Sequence, residues 1–260
     1  MTSMDDATDD GAPRGSGSRC TPKELADALK NVSARVFLDQ LSSNSFFFAV
    51  LVCTQEGIVL YANRIAANGF PGETVESILG KNIRDISPPE WADERIGYIK
   101  RAIETQRTVT LIETLVGTRL HSSINPFSTE INGENHSLAF LVIEPISPSQ
   151  LAWLRSTVDP SDLVMARVID LGKLSTLTNR EIEVLALMGH GLRQKQNAEK
   201  LHRSVSTIDR HRERIGEKLQ ITDRAELIAI ARDAVLEIED AKRTKVDFKH
   251  SCKPFPDVEN

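Results

Sequence analysis

Between Leu174 and Val235 the chain carries four separate helix starts within about sixty residues, too close together for any architecture except a small helical bundle. Leu177-Thr178-Asn179-Arg180-Glu181 places a Thr cap three residues before a Glu that returns the hydrogen bond, and Ile182, Leu185 and Met188 follow at helical spacing. Gly189 and Gly191 end this helix. A second runs from about Gln194 to Leu201, and Ser204-Val205-Ser206-Thr207 opens a third. Asp223-Arg224-Ala225-Glu226 repeats the capping box ahead of Leu227, Ile228 and Ile230.

The third helix has three distinct sides. At about 100° per residue Ile208, Ile215 and Leu219 share one face, which must be its core face. Ser206, Asp209, Arg210, Glu213 and Glu217 lie opposite, and Thr207, His211, Arg214 and Lys218 line one flank with donors suited to phosphate oxygens. Such a helix can lie in a major groove, with Arg210 donating to guanine and Asp209 accepting from cytosine. Ser204 at its start completes the candidate DNA-contacting set. The competing reading is a solvated helix of mixed charge.

Leu177-Thr178-x-Arg180-Glu181-x-Glu183-Val184-Leu185, Gly191, Ala198 and Leu201 resemble the LuxR-type helix-turn-helix family, as do Ser204-x-x-Thr207-Ile208-x-x-His211, Ile215 and Lys218-Leu219. The resemblance implies that the third helix recognises DNA. It also implies that the fourth supports a two-fold dimer through Arg224, Leu227, Ile228 and Ala231. Two positions depart from the family: Asn197 stands where it usually has a buried Ile, and Arg193 where it usually has a small capping residue. Asn197 precedes Leu201 by four residues and so faces the core side.

The N-terminal half has a different rhythm. Phe46 to Cys53, a Gln55-Glu56-Gly57 turn and Ile58 to Ala62 read as a hairpin. Pro89 opens a longer helix with Ile96, Ile99 and Ile103 on one face. Val109 to Leu115, Leu120 to Ile124 and, after an Asn132-Gly133 turn, Leu138 to Glu144 supply three further strands. Gly57-Ile58-Val59-Leu60-Tyr61-Ala62-Asn63 and Ile78-Leu79-Gly80-Lys81-Asn82-Ile83-Arg84-Asp85-Ile86 resemble a PAS sensor domain, in which Asn63 and Gly80 serve as turn residues. The expected fold class is therefore α+β: a PAS-like five-stranded antiparallel sheet with helices, followed by an all-α four-helix helix-turn-helix bundle.

The expected boundaries are a disordered N-terminus over 1–20 and an amphipathic helix over 21–43, opened by Thr21-Pro22-Lys23-Glu24. A sensor over 44–146 follows, then a linker over 147–172 with two short helices divided at Asp159-Pro160. The DNA-binding domain covers 173–238, and 239–260 is a polar tail that frays after Lys242. The linker packs either between protomers or against its own domain.

A net charge of -5 confines any nucleic-acid contact to a local patch. The longest apolar run, Phe46 to Cys53, is far short of the roughly 20 residues that span a bilayer, so no membrane partner and a cytoplasmic location are expected. Cys20, Cys53 and Cys252 are read as reduced thiols. No metal-ligand spacing and no nucleophile-base cluster points to an enzyme. These features predict a DNA-binding transcription regulator whose sensor receives a signal or mediates dimerisation. Double-stranded DNA and a second copy of the chain are the expected partners, with a small-molecule ligand or RNA polymerase as further candidates. The alternative is a protein-interaction module. A response regulator would need a repeated β/α pattern that residues 44 to 145 lack.

No cofactor is assigned. The Asn82-Ile83-Arg84 segment lacks the reactive Cys that flavin-binding light sensors of the PAS class carry, and Pro89 to Gln106 lacks the His of the haem-binding ones; His121 falls on a strand. The purified protein is accordingly expected to be colourless, and a stoichiometric haem or flavin band in its visible spectrum would contradict this assignment.

Overall fold

The computed structural model describes residues 21, 48–131 and 133–248. The N-terminal segment, the helix expected after Thr21, Asn132 and the tail from 249 onward lie outside the described residues.

Strands β1 (Ala49–Thr54) and β2 (Val59–Ala62) form the expected hairpin, with Leu51 opposite Ala62. Gly57 closes it at φ +85, and a Cβ there would fall 2.6 Å from Ile96, so both the backbone and the space demand glycine. Three short helices follow: α1 (Arg64–Asn68), α2 (Val75–Ile78) and α3 (Ile83–Ile86). Asn63 is buried and serves as a turn residue. Its Oδ1 accepts from the backbone N–H groups of Ala66 and Val50, while its amide donates to the Phe48 carbonyl.

Helix α4 (Pro89–Thr105) buries Ile96, Ile99 and Ile103 as their spacing predicts, together with Trp91 and Arg95. Strands β3 (Val109–Leu115), β4 (Thr118–Ile131) and β5 (Glu134–Pro145) complete five antiparallel strands.

After β5, helix α5 (Pro148–Thr157) is capped by Ser147. The second linker helix expected after Asp159-Pro160 is absent. In its place β6 (Leu163–Met165) runs parallel to β3 as a sixth strand, and β7 (Val168–Ile169) continues beyond it. The free edge of β3 explains this: the Thr110 N–H donates to the Asp162 carbonyl and the Ala166 N–H to the Ile112 carbonyl, satisfying groups that a helix would leave unpaired. The sheet order is β2-β1-β5-β4-β3-β6.

A 3-10 turn (Gly172–Thr176) leads to α6 (Asn179–Gly189), α7 (Gln194–Lys200), α8 (Val205–Leu219) and α9 (Arg224–Asp233). Thr178, Ser204 and Asp223 cap three of these helices with their side chains, as expected. Gly189 lets α9 approach α6, since a Cβ there would meet that of Ala231 at 2.8 Å. The polar tail expected from 239 does not fray over its described part. A 3-10 turn (Ile238–Lys242) is followed by β8 (Thr244–Lys245), which pairs with β7, and by the buried Phe248 against Trp91 at 5.0 Å. Two side chains that polarity obscured, Asp240 and Phe248, anchor it.

Bundle and sheet share one core, continuous through Leu171, Leu174 and Leu177. Behind the sheet Val235 packs with Ile112, Ile146, Leu151 and Leu154, so α5 lies against its own chain.

Asn197 is 1% exposed, and its Oδ1 finds no donor among the described residues. Replacing it by Ile removes an unsatisfied buried acceptor and keeps the number of side-chain heavy atoms, in a bulkier, β-branched shape. Asn197→Ile in the full chain should raise the unfolding midpoint by a gain of about 1 kcal/mol, measured by differential scanning calorimetry. An unchanged or lower midpoint would show that the amide is worth more than its unpaired oxygen costs.

Candidate nucleic-acid interface

Helix α8 owes its exposed surface to what it buries. Ile208 and Ile215 are sealed in the core and Leu219 is partly so, which turns Ser206, Arg210, Glu213, Arg214 and Glu217 to solvent. Ser204 starts the helix by accepting from the Thr207 N–H at 3.2 Å. Gln220, at φ 58, stops it, and the Ile221 N–H folds back to the Gly216 carbonyl. Helix α7 lies before it across a tight turn in which His202 takes φ 51 and the Arg203 N–H donates to the Ala198 carbonyl. This is a helix-turn-helix.

The candidate contact residues fall into two groups. Arg210, Glu213 and Arg214 are exposed and make no hydrogen bond or ion pair among the described residues. Of the others, all but His211 are engaged within the chain. The hydroxyl oxygens of Ser206 and Thr207 lie 3.0 and 2.8 Å from that of Ser204. Asp209 Oδ1 accepts from the Gln194 side-chain amide and sits 4.0 Å from Arg212, so that oxygen is already engaged within the chain. His211 is half-buried. Burial, and then the Arg180 cation, push its pKa below the usual imidazole value and so disfavour its cationic form.

Lys218 departs furthest from expectation. Its Nζ lies 2.7 Å from Glu181 Oε2 and 3.2 Å from the Thr176 carbonyl, which ties the end of α8 to the cap of α6. Burial opposes the Glu181 charge, but the hydrogen bonds from Lys218 and then Thr178 outweigh it and hold the carboxyl below its ordinary range. The expected dimer residues also divide. Leu227 and Ala231 are buried in their own bundle and offer nothing to a partner, whereas Arg224 is exposed and Ile228 half-buried.

A groove of about 810 Å³ beside the α7–α8 turn was not foreseen. Lys195, Ala198, Glu199, His202, Arg203, Ser204 and Val205 line it, placing Lys195 and Arg203 just ahead of α8. The periodicity of one helix carries no signal for residues that a preceding turn brings alongside it.

In the N-terminal half a cavity of only about 40 Å³ lies between α1, Trp91 of α4 and the sheet, with Phe70, Glu113 and Leu120 also in its wall. Glu113 accepts from Arg95 at 2.9 and 3.0 Å and from the Ser122 hydroxyl, while Arg95 stacks 4.5 Å above the Trp91 ring. Cys53 is buried and its thiol is pushed up to about 12 by desolvation. His121 pairs with Glu144 at 3.1 Å. Among the described residues no cluster of acidic, Cys or His side chains is suited to a metal ion, and no helix is long and apolar enough to cross a membrane.

Both halves match known families. Residues 175–231 match bacterial regulatory proteins of the luxR family, and residues 43–130 match the PAS fold. The transcriptional regulatory protein LnrK of Bacillus subtilis (strain 168) is 46% identical over 54 residues, 21% of this chain and 24% of that protein. The chain thus spans about a quarter of the length of that relative. Among solved structures, the VqmA–ligand–DNA complex of Vibrio cholerae is similar at 18% identity over 77% of this chain and 90% of that one, with a TM-score of 0.44. The PAS domain of Bordetella pertussis BvgS is similar at 20% identity over 50% of this chain and 99% of that one, with a TM-score of 0.35.

The Lys218 tie yields a test that needs no ligand. Lys218→Met should lower the unfolding midpoint at pH 7 by about 1 kcal/mol, the pair being partly screened by solvent. Because the folded Glu181 carboxyl titrates below its ordinary 4.5, the stabilisation is present above that value and is lost as pH falls through the folded pKa. The gap between wild type and variant should therefore narrow below pH 4.5 and close as pH falls through the folded pKa in thermal melts. A gap that is constant with pH would remove Glu181 from the account.

Proposed function

We propose that this chain, which joins a PAS-fold domain to a luxR-family helix-turn-helix, is a DNA-binding transcription regulator that acts as a homodimer on double-stranded DNA. The observation that carries the reading is the exposed surface of α8, where Arg210 and Arg214 stand unpaired among the described residues while Ser206, Asp209 and Lys218 are engaged within the chain. Arg210 reads a base edge, and Arg214, with Arg203 and Lys195 from the groove, grips phosphates. The dimer contact falls to Arg224 and Ile228 on α9.

The PAS-fold domain, in this reading, biases the bundle through the segment that returns to it. Phe248 rests on Trp91, and Trp91 walls the cavity, so a small organic ligand that enlarges that cavity displaces both. RNA polymerase contact is a further role for the exposed surface of the bundle.

The test is fluorescence anisotropy of the full chain on duplex DNA it selects from a random pool, and on scrambled DNA, across a salt series. Arg210→Ala should cost about 1 to 3 kcal/mol on the selected site and relax preference at one position. Arg214→Ala should weaken all sequences alike and make the salt dependence shallower by about one unit of slope. Salt-insensitive binding, or unaltered discrimination in Arg210→Ala, would overturn this assignment of α8. Absence of all DNA binding would favour a protein-interaction module.

A further inference from the structure

We infer that Val205 is a specificity-determining residue whose side chain contacts the C5-methyl group of a thymine in the major groove. The inference rests on the DNA-binding reading above and adds a residue to it.

Val205 is 41% exposed, and with Trp153 on α5 it is one of two large hydrophobic side chains so exposed among the described residues. It occupies the first position of α8, directly after the Ser204 cap. A β-branched residue there gains nothing from propensity, and it packs into no core cluster. A local rule broken without internal compensation points to a use outside the fold.

The surroundings say what that use is. Helical Cα–Cβ bonds tilt toward the N-terminus, so a side chain at the first position projects past the helix end, the part of a recognition helix that enters deepest among the bases. Lys195, His202 and Arg203 share the groove with Val205, as do Ala198, Glu199 and Ser204, which sets an apolar tip beside the cationic Lys195 and Arg203. That combination suits a duplex edge, where phosphates flank the grooves and the thymine methyl is the apolar feature of the major groove. The neighbouring polar side chains leave the role open to Val205. Ser206 and Thr207 bond to Ser204, and Asp209 is held by Gln194.

The probe is the duplex selected by the full chain, remade with each thymine replaced singly by deoxyuridine, which removes the methyl and keeps every hydrogen-bonding group. At one thymine per half-site the replacement should weaken wild-type binding about fourfold, the worth of one buried methyl group. Val205→Ala should bind the parent duplex more weakly by a similar factor and show no further loss on the deoxyuridine duplex. Val205→Thr, close to isosteric and retaining a methyl, should keep part of the discrimination and serves if the alanine variant does not fold. Circular-dichroism melts check that each variant folds. If every deoxyuridine duplex binds wild type as the parent does, or if Val205→Ala keeps the full uracil effect, the assignment is overturned while DNA binding stands. If the chain binds no duplex in a salt-dependent way, both readings fall together.

Discussion

Arg119 on β4 and Asp240 in the turn after the bundle are both wholly withdrawn from water and bonded to each other. Each ion alone would cost several kcal/mol to bury, and removing one partner of such a pair costs about 3 to 5 kcal/mol. The sheet and the bundle therefore have to meet where these two side chains meet. Arg119 also donates to the Val235 carbonyl just past α9, and the Glu237 N–H donates to Asp240. The end of the helical bundle is thus oriented by the sheet that precedes it.

A second polar network holds the returning segment to the same sheet. Glu94 on α4 accepts from the backbone N–H groups of Arg167 and Val168, from Tyr98 and from Arg95. Burial works against its charge, yet those backbone donors, with Arg95, keep the carboxyl below its ordinary range. Arg95 in turn donates to the Val168 carbonyl. Helix α4, β7 and, through β7, the β8 segment bearing Phe248 form one packed unit that reaches the cavity through Trp91.

What was legible in the sequence was local. Thr178 with Glu181, Ser204 and Asp223 announce their helices because a cap is written within three residues, and the stripe of Ile208, Ile215 and Leu219 gives the buried face of α8 from its own period. What was missed was non-local. Leu163–Met165 is too short to show a period, and its strand character comes from the open edge of β3, some fifty residues earlier. Lys218 has the same spacing as a phosphate contact, and only Glu181, brought alongside by folding, assigns it elsewhere. Leu227 and Ala231 were assigned to a dimer by resemblance, although their separation by four residues already marks one face of α9, the face that its own bundle takes.

The magnitudes separate a fixed joint from a movable one. A signal coupled between two sites is typically worth about 1 to 3 kcal/mol, below the cost of opening a buried ion pair. Arg119 and Asp240 should therefore stay joined in every regulatory state and act as a pivot. An aromatic pair such as Trp91 and Phe248 contributes about 0.5 to 1.5 kcal/mol beyond its buried area, which is within reach of such a signal. Under the proposed regulation the bundle does not detach from the sheet. It swings about the pivot as Phe248 shifts on Trp91, and in a dimer a small swing of each bundle changes the separation of two recognition helices, on which binding to a two-fold site depends.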